Sequence, residues 1–170
     1  RLVVFGALVF MTIALPSSAL AGKYDKKLEK KVKKAVGDCR QLAEDAHWRA
    51  PALKAAEAAI AEIGATDNAK AASFLMKIGL VSFRFPRAEV TVFDAVKKAL
   101  AGMSDKDARK AVYKSLKKKK DWRIQVTLIE VVASYKGDDA AEFLLHEMLN
   151  AKKADERVVA EIARTLAKRK

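Results

Sequence analysis

The sequence has few of the residues that interrupt helices and few of those that build reactive or metal-binding sites. Three prolines and seven glycines occur among 170 residues, and no stretch longer than a few residues alternates apolar and polar positions as strands do. A single cysteine, Cys39, excludes an internal disulfide. The two histidines, His47 and His146, belong to no cluster with metal-ligand spacing. These scarcities favour an all-α fold whose stability depends on its core.

Motifs that carry catalysis are missing as well. The sequence has no glycine loop for phosphates, no nucleophile elbow and no histidine pair of the metalloprotease type. We therefore predict no catalytic residue, no metal, no cofactor and no small-molecule substrate, and we interpret the protein as non-enzymatic. The remaining enzymatic alternative is a site assembled from residues of different structural units.

Residues 1–21 have the layout of a secretory signal peptide. Arg1 precedes an apolar run over residues 2–15, and residues 19–21, Ala-Leu-Ala, form a small-residue cleavage site. The run is shorter than the roughly 20 apolar residues that span a bilayer. We expect a protein exported to the periplasm or secreted, with an uncleaved membrane anchor as the alternative.

The charge balance is strongly basic, with 34 lysines and arginines against 21 acidic residues and a net charge of +13. Such a surface favours anionic partners. Basic residues are dense in residues 22–44, where Leu28, Val32 and Val36 recur every four residues on a lysine-rich helix. We interpret this segment as a basic N-terminal helix that caps the first repeat. The alternative is a helix that lies on an anionic membrane surface.

Residues 45–170 repeat a long helix that opens with arginine. The four arginines, spaced 38, 36 and 34 residues apart, are Arg49, Arg87, Arg123 and Arg157. Shorter helical segments separate the long ones, and Asp, Asn or Ser introduces each of them as a capping residue. Glycine closes the first three long helices, where we expect a left-handed C-terminal residue. A helix pair repeated at this period predicts stacked helical hairpins.

Aliphatic residues stand at matching distances after each arginine. The positions three residues after are Ala52, Val90, Val126 and Ala160, and those six after are Ala55, Phe93, Ile129 and Ala163. The positions nine after are Ala58, Val96, Val132 and Leu166. Steps of three and four predict that these columns form one helical stripe facing a shared core.

The openings of the third and fourth long helices resemble HEAT-repeat proteins, in particular the short bacterial HEAT-like type. In that family the second helix of a unit commonly opens with an acid, sometimes Trp, then Arg and an aliphatic residue. Asp121-Trp122-Arg123-Ile124 matches this pattern, and Asp155-Glu156-Arg157-Val158 keeps all but the Trp. The openings at Arg49 and Arg87 lack the acid. The resemblance implies that residues 45–170 form about three and a half HEAT-like hairpins, stacked in one superhelix as a short α-solenoid.

Arginine in the first turn of a helix opposes the positive end of the helix macrodipole, so its recurrence predicts a compensating acceptor. We expect the arginines to reach a carboxylate or a helix-end carbonyl of an adjacent unit. The arginines concerned are Arg87, Arg123 and Arg157, and the expected acids are Asp121 and Asp155. Trp122, and Trp48 at the first unit, should then lie along the junctions between units.

Lysines cluster at the turns before the third and fourth arginine helices. The candidate partner-binding residues are Lys117, Lys118, Lys119, Lys120, Trp122, Lys152 and Lys153. Because a solenoid aligns equivalent turns along one edge, we expect these charges to form a stripe. The alternative is a solvated lysine loop.

The repeat, the export signal and the missing catalytic motifs lead us to interpret the protein as an exported repeat scaffold that mediates protein–protein interaction. One alternative is a basic envelope protein that binds anionic lipid or polymer surfaces. A second is non-specific nucleic-acid binding, in which lysines contact phosphates without reading bases. The export signal makes nucleic acid the least favoured partner.

Overall fold

The structure is a computed structural model that describes residues 24–42, 44–45, 47–80, 86–150 and 155–168, and of residues 86–89 only the backbone. Within these ranges the chain forms eight α-helices and no β-strand. The predicted all-α fold class is therefore confirmed for the described residues. None of the described helices has the length and apolar character that crossing a bilayer requires. The predicted signal peptide, residues 1–21, lies outside these ranges.

The helices follow the predicted order of arginine helices and intervening segments, but the predicted difference in length is clear only for the first two arginine helices. They are α1 Lys26–Leu42, α2 Arg49–Gly64, α3 Ala69–Gly79, α4 Pro86–Ala101, α5 Lys106–Lys118, α6 Trp122–Ser134, α7 Asp138–Leu149 and α8 Glu156–Lys168. The arginine helices are α2, α4, α6 and α8, and the intervening segments are α3, α5 and α7.

The arginine helices pack on one another in chain order. Helix α2 contacts α4, α4 contacts α6, and α6 contacts α8, while α3 packs on α5 in a second row. Helices α5 and α7 meet through Tyr113 and Phe143, whose ring centroids are 4.3 Å apart. The rows are joined where α3 contacts α4, α5 contacts α6 and α7 contacts α8. Helix α1 packs against α2 and buries Val32, Val36 and Cys39.

The buried faces of α4, α6 and α8 share a register, which keeps the predicted column nine residues after each arginine and adds one at five residues. The buried or partly buried residues five and nine positions after each arginine are Val92 and Val96, Leu128 and Val132, and Ile162 and Leu166. The other two expected columns are wrong in several units, since Val90 is 53% exposed and Ala55, Ala160 and Ala163 are exposed. In α2 the nine-residue column is wrong as well, because Ala58 is exposed. Three residues turn a helix by about 300°, so repeated steps of three drift across the surface, whereas steps of four stay closer to one face.

Helix α2 departs from this register. Its buried residues Ala56 and Ile60 come seven and eleven positions after Arg49. This is two residues later than in the other arginine helices. Aligning the units on their arginines therefore aligns α4, α6 and α8 but not α2.

The glycines at the helix ends act mainly by letting helices approach. A Cβ at Gly64 would lie 2.8 Å from the Cβ of Ala99, and one at Gly79 would lie 2.4 Å from Cγ2 of Val96. The expected left-handed conformation is wrong for Gly64 and Gly102, since Gly137 is the only glycine with positive φ in the described ranges. Glycine is needed at position 64 because a Cβ atom there would collide with α4, and not because the backbone torsion angles require it.

Side-chain caps begin two of the three short helices, as predicted. Asn68 caps α3 by accepting from the amides of Lys70 and Ala71, and Asp105 caps α5 in the same way. Helix α7 begins after Gly137 and has no side-chain cap. The predicted cap is wrong there because Asp138 lies inside the helix, where its carboxylate faces the positive end of the macrodipole.

Candidate functional site

The predicted lysine cluster before α6 is divided by the fold. Lys117 Nζ lies 3.0 Å from Glu147 Oε1 and 5.4 Å from the centroid of the Phe143 ring, so it links α5 to α7. Lys118 and Lys120 are exposed, and Lys119 is partly buried. Lys117 is exposed as well. A partner would therefore meet all four lysines, of which Lys117 alone has a carboxylate partner among the described residues.

Trp122 lies between two arginines instead of at an open surface. The Arg157 guanidinium carbon is 3.9 Å from the Trp122 ring centroid, and that of Arg123 is 5.5 Å from it. Trp122 is partly buried against the core. Since Arg157 belongs to α8, this cation–π contact joins successive arginine helices at the predicted junction. Trp122 therefore stabilises the fold, which leaves it poorly placed to bind a partner.

The predicted ladder of ion pairs between units is wrong at Arg157. Its Nε and Nη2 donate to Asp155 at 2.8 and 2.6 Å, and its backbone N–H donates to the same carboxylate at 3.0 Å. Asp121 likewise serves its own helix by accepting from the backbone N–H of Arg123 at 2.9 Å. Both acids satisfy exposed amides at a helix N-terminus, which hold a carboxylate more effectively than a distant side chain does.

The remaining predicted positions are dispersed. Lys152, Lys153 and the side chain of Arg87 lie outside the described residues. Arg49 is partly buried at the start of α2. Trp48 is 54% exposed and meets the ring of His47 edge-on, with centroids 4.9 Å apart. The structure therefore gives Trp48 an open surface, in contrast to Trp122.

Successive units are bonded through the turns between long and short helices. The Asp67 carboxylate accepts from the backbone N–H groups of Ser104 and Asp105 at 3.0 and 3.1 Å and from the Ser104 hydroxyl at 2.6 Å. One unit later, Arg109 Nη1 donates to the carbonyl of Lys136 at 3.1 Å. Neither bond was predicted, because an acid or an arginine in a polar turn has no distinctive sequence context.

The candidate reactive side chains are far from forming a cluster. Cys39 is buried in α1, and His146 is exposed with its Nδ1 3.4 Å from Glu147 Oε1. In the described part of the chain, no three His, Cys, Asp or Glu side chains are placed to hold a metal ion.

A basic groove between α1 and α3 was not predicted from the sequence. This α1/α3 groove has a volume of about 770 Å³. Its charged lining consists of Lys26, Lys33 and Arg40 with Glu29 from α1, and of Lys70 and Lys77 from α3. The signal was present in the spacing: residues seven apart lie two turns along one face of a helix. What the sequence does not reveal is that these two faces meet.

A second groove, between α2 and α4, has a volume of about 650 Å³ and a different character. Small residues such as Gly64 and Ala99 line it. Its charged lining residues are balanced in sign and are Lys54, Lys98, Glu57 and Asp94. This groove therefore gives no charge preference for a ligand, whereas the α1/α3 groove favours an anion.

Comparisons with known proteins give no guide to the function of either groove. The chain matches no family model, and no curated protein or solved structure is similar enough to count as a match. Any function must be argued from the residues and their geometry.

Proposed function

We propose that this protein is an exported, non-enzymatic repeat scaffold that binds another protein, and that its hairpins form a short HEAT-like α-solenoid. The observation that carries the proposal is the order of packing, in which α2, α4, α6 and α8 each contact the next arginine helix. A stack in which every unit contacts its sequence neighbours is the arrangement of repeat proteins, and these use their extended surfaces for binding.

The bonds between units support the same proposal. Asp67 joins the first turn to the second, and Arg109 joins the second to the third. The contact of Arg157 with Trp122 joins α8 to α6. Each of these bonds links neighbouring units, so charged residues that would otherwise be available for chemistry hold the stack together. Fold analogy supplies only the class of function, a binding scaffold.

Protein binding can be tested with the purified chain as bait for envelope extract, washed at about 50 mM and about 300 mM salt. We expect one or a few proteins to remain at the higher salt. After purification, each should bind at a fixed stoichiometry in isothermal titration calorimetry. If everything captured is released at the higher salt, and nothing saturates in calorimetry, the scaffold proposal fails.

Binding to anionic lipid or polymer is the second candidate, and α1 favours it. Lys26, Lys27, Lys30, Lys31, Lys33 and Lys34 are all exposed on this helix. However, the stripe of Val32 and Val36 is buried and Leu28 is partly buried against the core. Helix α1 therefore offers charge without an apolar face to insert. Sedimentation with phosphatidylglycerol vesicles tests it: because the attraction would be electrostatic alone, binding at about 50 mM salt that is lost at about 300 mM would support it, and no binding at about 50 mM would contradict it.

A further inference from the structure

We propose that the α1/α3 groove binds an acidic, extended peptide segment of the partner protein. This inference rests on the scaffold function proposed above and assigns it a site and a ligand chemistry. From the described residues, the groove presents five cations and one carboxylate to whatever enters it. Such an excess of positive charge favours a ligand that carries several carboxylates.

The cations form two facing rows. Lys26, Lys33 and Arg40 are seven residues apart on α1, which places them on one face over about 21 Å at 1.5 Å per residue. Lys70 and Lys77 are separated by about 10 Å on α3 by the same rule. Two rows of this length match several consecutive residues of an extended chain, since each residue of a strand advances about 3.3 Å.

The protein uses only part of this charge itself. Glu29 accepts from the Tyr24 hydroxyl and lies 3.6 Å from Lys33, and Arg40 Nη2 donates to the carbonyl of Ile78 at 3.1 Å. Among the described residues, no carboxylate pairs with Lys26, Lys70 or Lys77. These three lysines are therefore the ones whose charge an acidic segment would neutralise.

The floor of the groove distinguishes a peptide from the other polyanions. Phe74 is 9% exposed and lies under Lys33, whose Nζ is 5.7 Å from the ring centroid. Because the ring is covered, it offers no platform on which a nucleic-acid base could stack. Ile78 and Ala69 complete an apolar floor, which accommodates an aliphatic side chain between acidic ones. A flat membrane would meet the outward lysines of α1 before it reached this recess.

The test compares two charge-reversal variants of the full chain. Lys70→Glu with Lys77→Glu changes the groove. Lys106→Glu with Lys114→Glu is the matched control, because both lysines are exposed on α5 and lie about two turns apart, outside the candidate partner-binding cluster. The probe is a fluorescein-labelled peptide of twelve residues, acidic except for a central leucine, followed by fluorescence anisotropy. Oligo-dT of twelve nucleotides and phosphatidylglycerol vesicles serve as competing ligands. Circular dichroism and melting temperature establish that both variants fold.

We expect the groove variant to bind the peptide at least about tenfold more weakly and the control to bind within about twofold of the original chain. Equal losses in both variants, or a larger loss in the control, would overturn the groove as the site. If oligo-dT or the vesicles bind more tightly than the peptide and lose that affinity in the groove variant, the ligand class is wrong.

The outcome for the groove is separable from the outcome for the scaffold. If the partner captured from extract still binds the groove variant with unchanged affinity, the scaffold function stands and the groove proposal fails. If the extract yields no partner but the acidic peptide binds and depends on Lys70 and Lys77, the groove is a site for acidic segments and the scaffold proposal fails.

Discussion

At the scale of residues, the acid before Arg157 and the Trp before Arg123 are brought together at one junction. Asp155 caps α8 and, in the same turn, holds the Arg157 guanidinium with two hydrogen bonds. The guanidinium so oriented covers the ring of Trp122 on α6. Fixing the arginine with a carboxylate reduces the entropy that the contact with Trp122 would otherwise cost. The acid before the arginine thus serves the cap and the junction together.

The Asp155 carboxylate should make the fold sensitive to acid. Hydrogen bonds from the side chain and backbone of Arg157 hold the pKa of Asp155 below its ordinary value. A lowered pKa contributes stability that is present above about pH 4 and is lost as the pH falls through the folded-state value. In Asp155→Asn the urea midpoint should therefore fall less steeply between about pH 5 and pH 3 than in the original chain. Glu156→Gln is the charge control. If the urea midpoint of Asp155→Asn fell between about pH 5 and pH 3 as steeply as that of the original chain, the result would contradict this role of Asp155.

Tyr135 should matter at the alkaline end. It is 2% exposed, its hydroxyl donates to the carbonyl of Leu100 at 3.1 Å, and burial raises its pKa above the ordinary value. Because the neutral form is favoured in the fold, this contribution is complete below about pH 10 and is lost as the pH rises further. Tyr135→Phe should cost about 0.5–1.5 kcal/mol at neutral pH, since the Leu100 carbonyl keeps its bond from the Met103 amide.

Urea unfolding at pH 7 and at about pH 11 measures both effects. The stability lost between these two pH values should be smaller in Tyr135→Phe than in the original chain. Gly37→Ala, an exposed change in α1 that keeps the Tyr135 hydroxyl, is the control and should keep the full alkaline loss. Equal alkaline losses in all three proteins would show that Tyr135 is not the group responsible.

At the scale of elements, the contact of α3 with α4 depends on a missing side chain. A Cβ at Gly79 would lie 2.4 Å from Cγ2 and 3.0 Å from Cβ of Val96, both on a buried, branched residue with little freedom to move. Gly79→Ala should therefore destabilise the fold by about 1–3 kcal/mol, as overpacking does. The double variant Gly79→Ala with Val96→Ala should lose less stability than the sum of the losses in the two single variants.

The control for this prediction is Gly37→Ala. Nothing lies within 4 Å of a Cβ built at Gly37, which is exposed within α1. Here alanine should stabilise the fold by about 0.5–1 kcal/mol through its better helix propensity. Chemical denaturation measures the free energy of unfolding of the two variants. It should fall in Gly79→Ala and rise in Gly37→Ala if the close contact of α3 with α4 requires glycine, and a stabilising Gly79→Ala would contradict that contact.

Helix positions were more predictable than helix faces. The start of α2 at Arg49 and the caps of α3 and α5 were foreseen because capping residues and good helix formers act locally, as at Asn68 before α3. The buried face depends on which neighbour a helix meets, so Val90, which looks like a core residue by spacing, is exposed. Local chemistry specifies where a helix begins, whereas its register against other helices comes from packing.

At the scale of the whole molecule, the predicted site follows from local sequence, whereas the observed groove follows from packing. The lysine run at residues 117–120 is conspicuous in the sequence, but Glu147 and Phe143 occupy its first member. The α1/α3 groove brings together Lys26 and Lys70, whose individual contexts are ordinary. A site built from two helices with another between them in the chain is invisible to any local pattern.

The stacked arrangement makes a prediction about how stability is distributed. Leu144 on α7 and Ile60 on α2 are both fully buried, and truncating either to alanine should cost about 2–5 kcal/mol locally. In a stack of units, each loss is confined to neighbouring helices, because distant units share no contacts. In a closed cooperative bundle, each loss would lower the free energy of opening throughout the molecule.

Amide hydrogen exchange resolved by peptide mass spectrometry distinguishes these cases. In Leu144→Ala, protection should fall in α6, α7 and α8 while α1, α2 and α3 exchange as before. Ile60→Ala should give the reverse pattern and leave α7 and α8 unchanged. Because the two variants serve as controls for each other, a general loss of stability cannot imitate the result. A uniform fall in protection in both variants would mean that the helices unfold as one unit, and the solenoid proposal would fail.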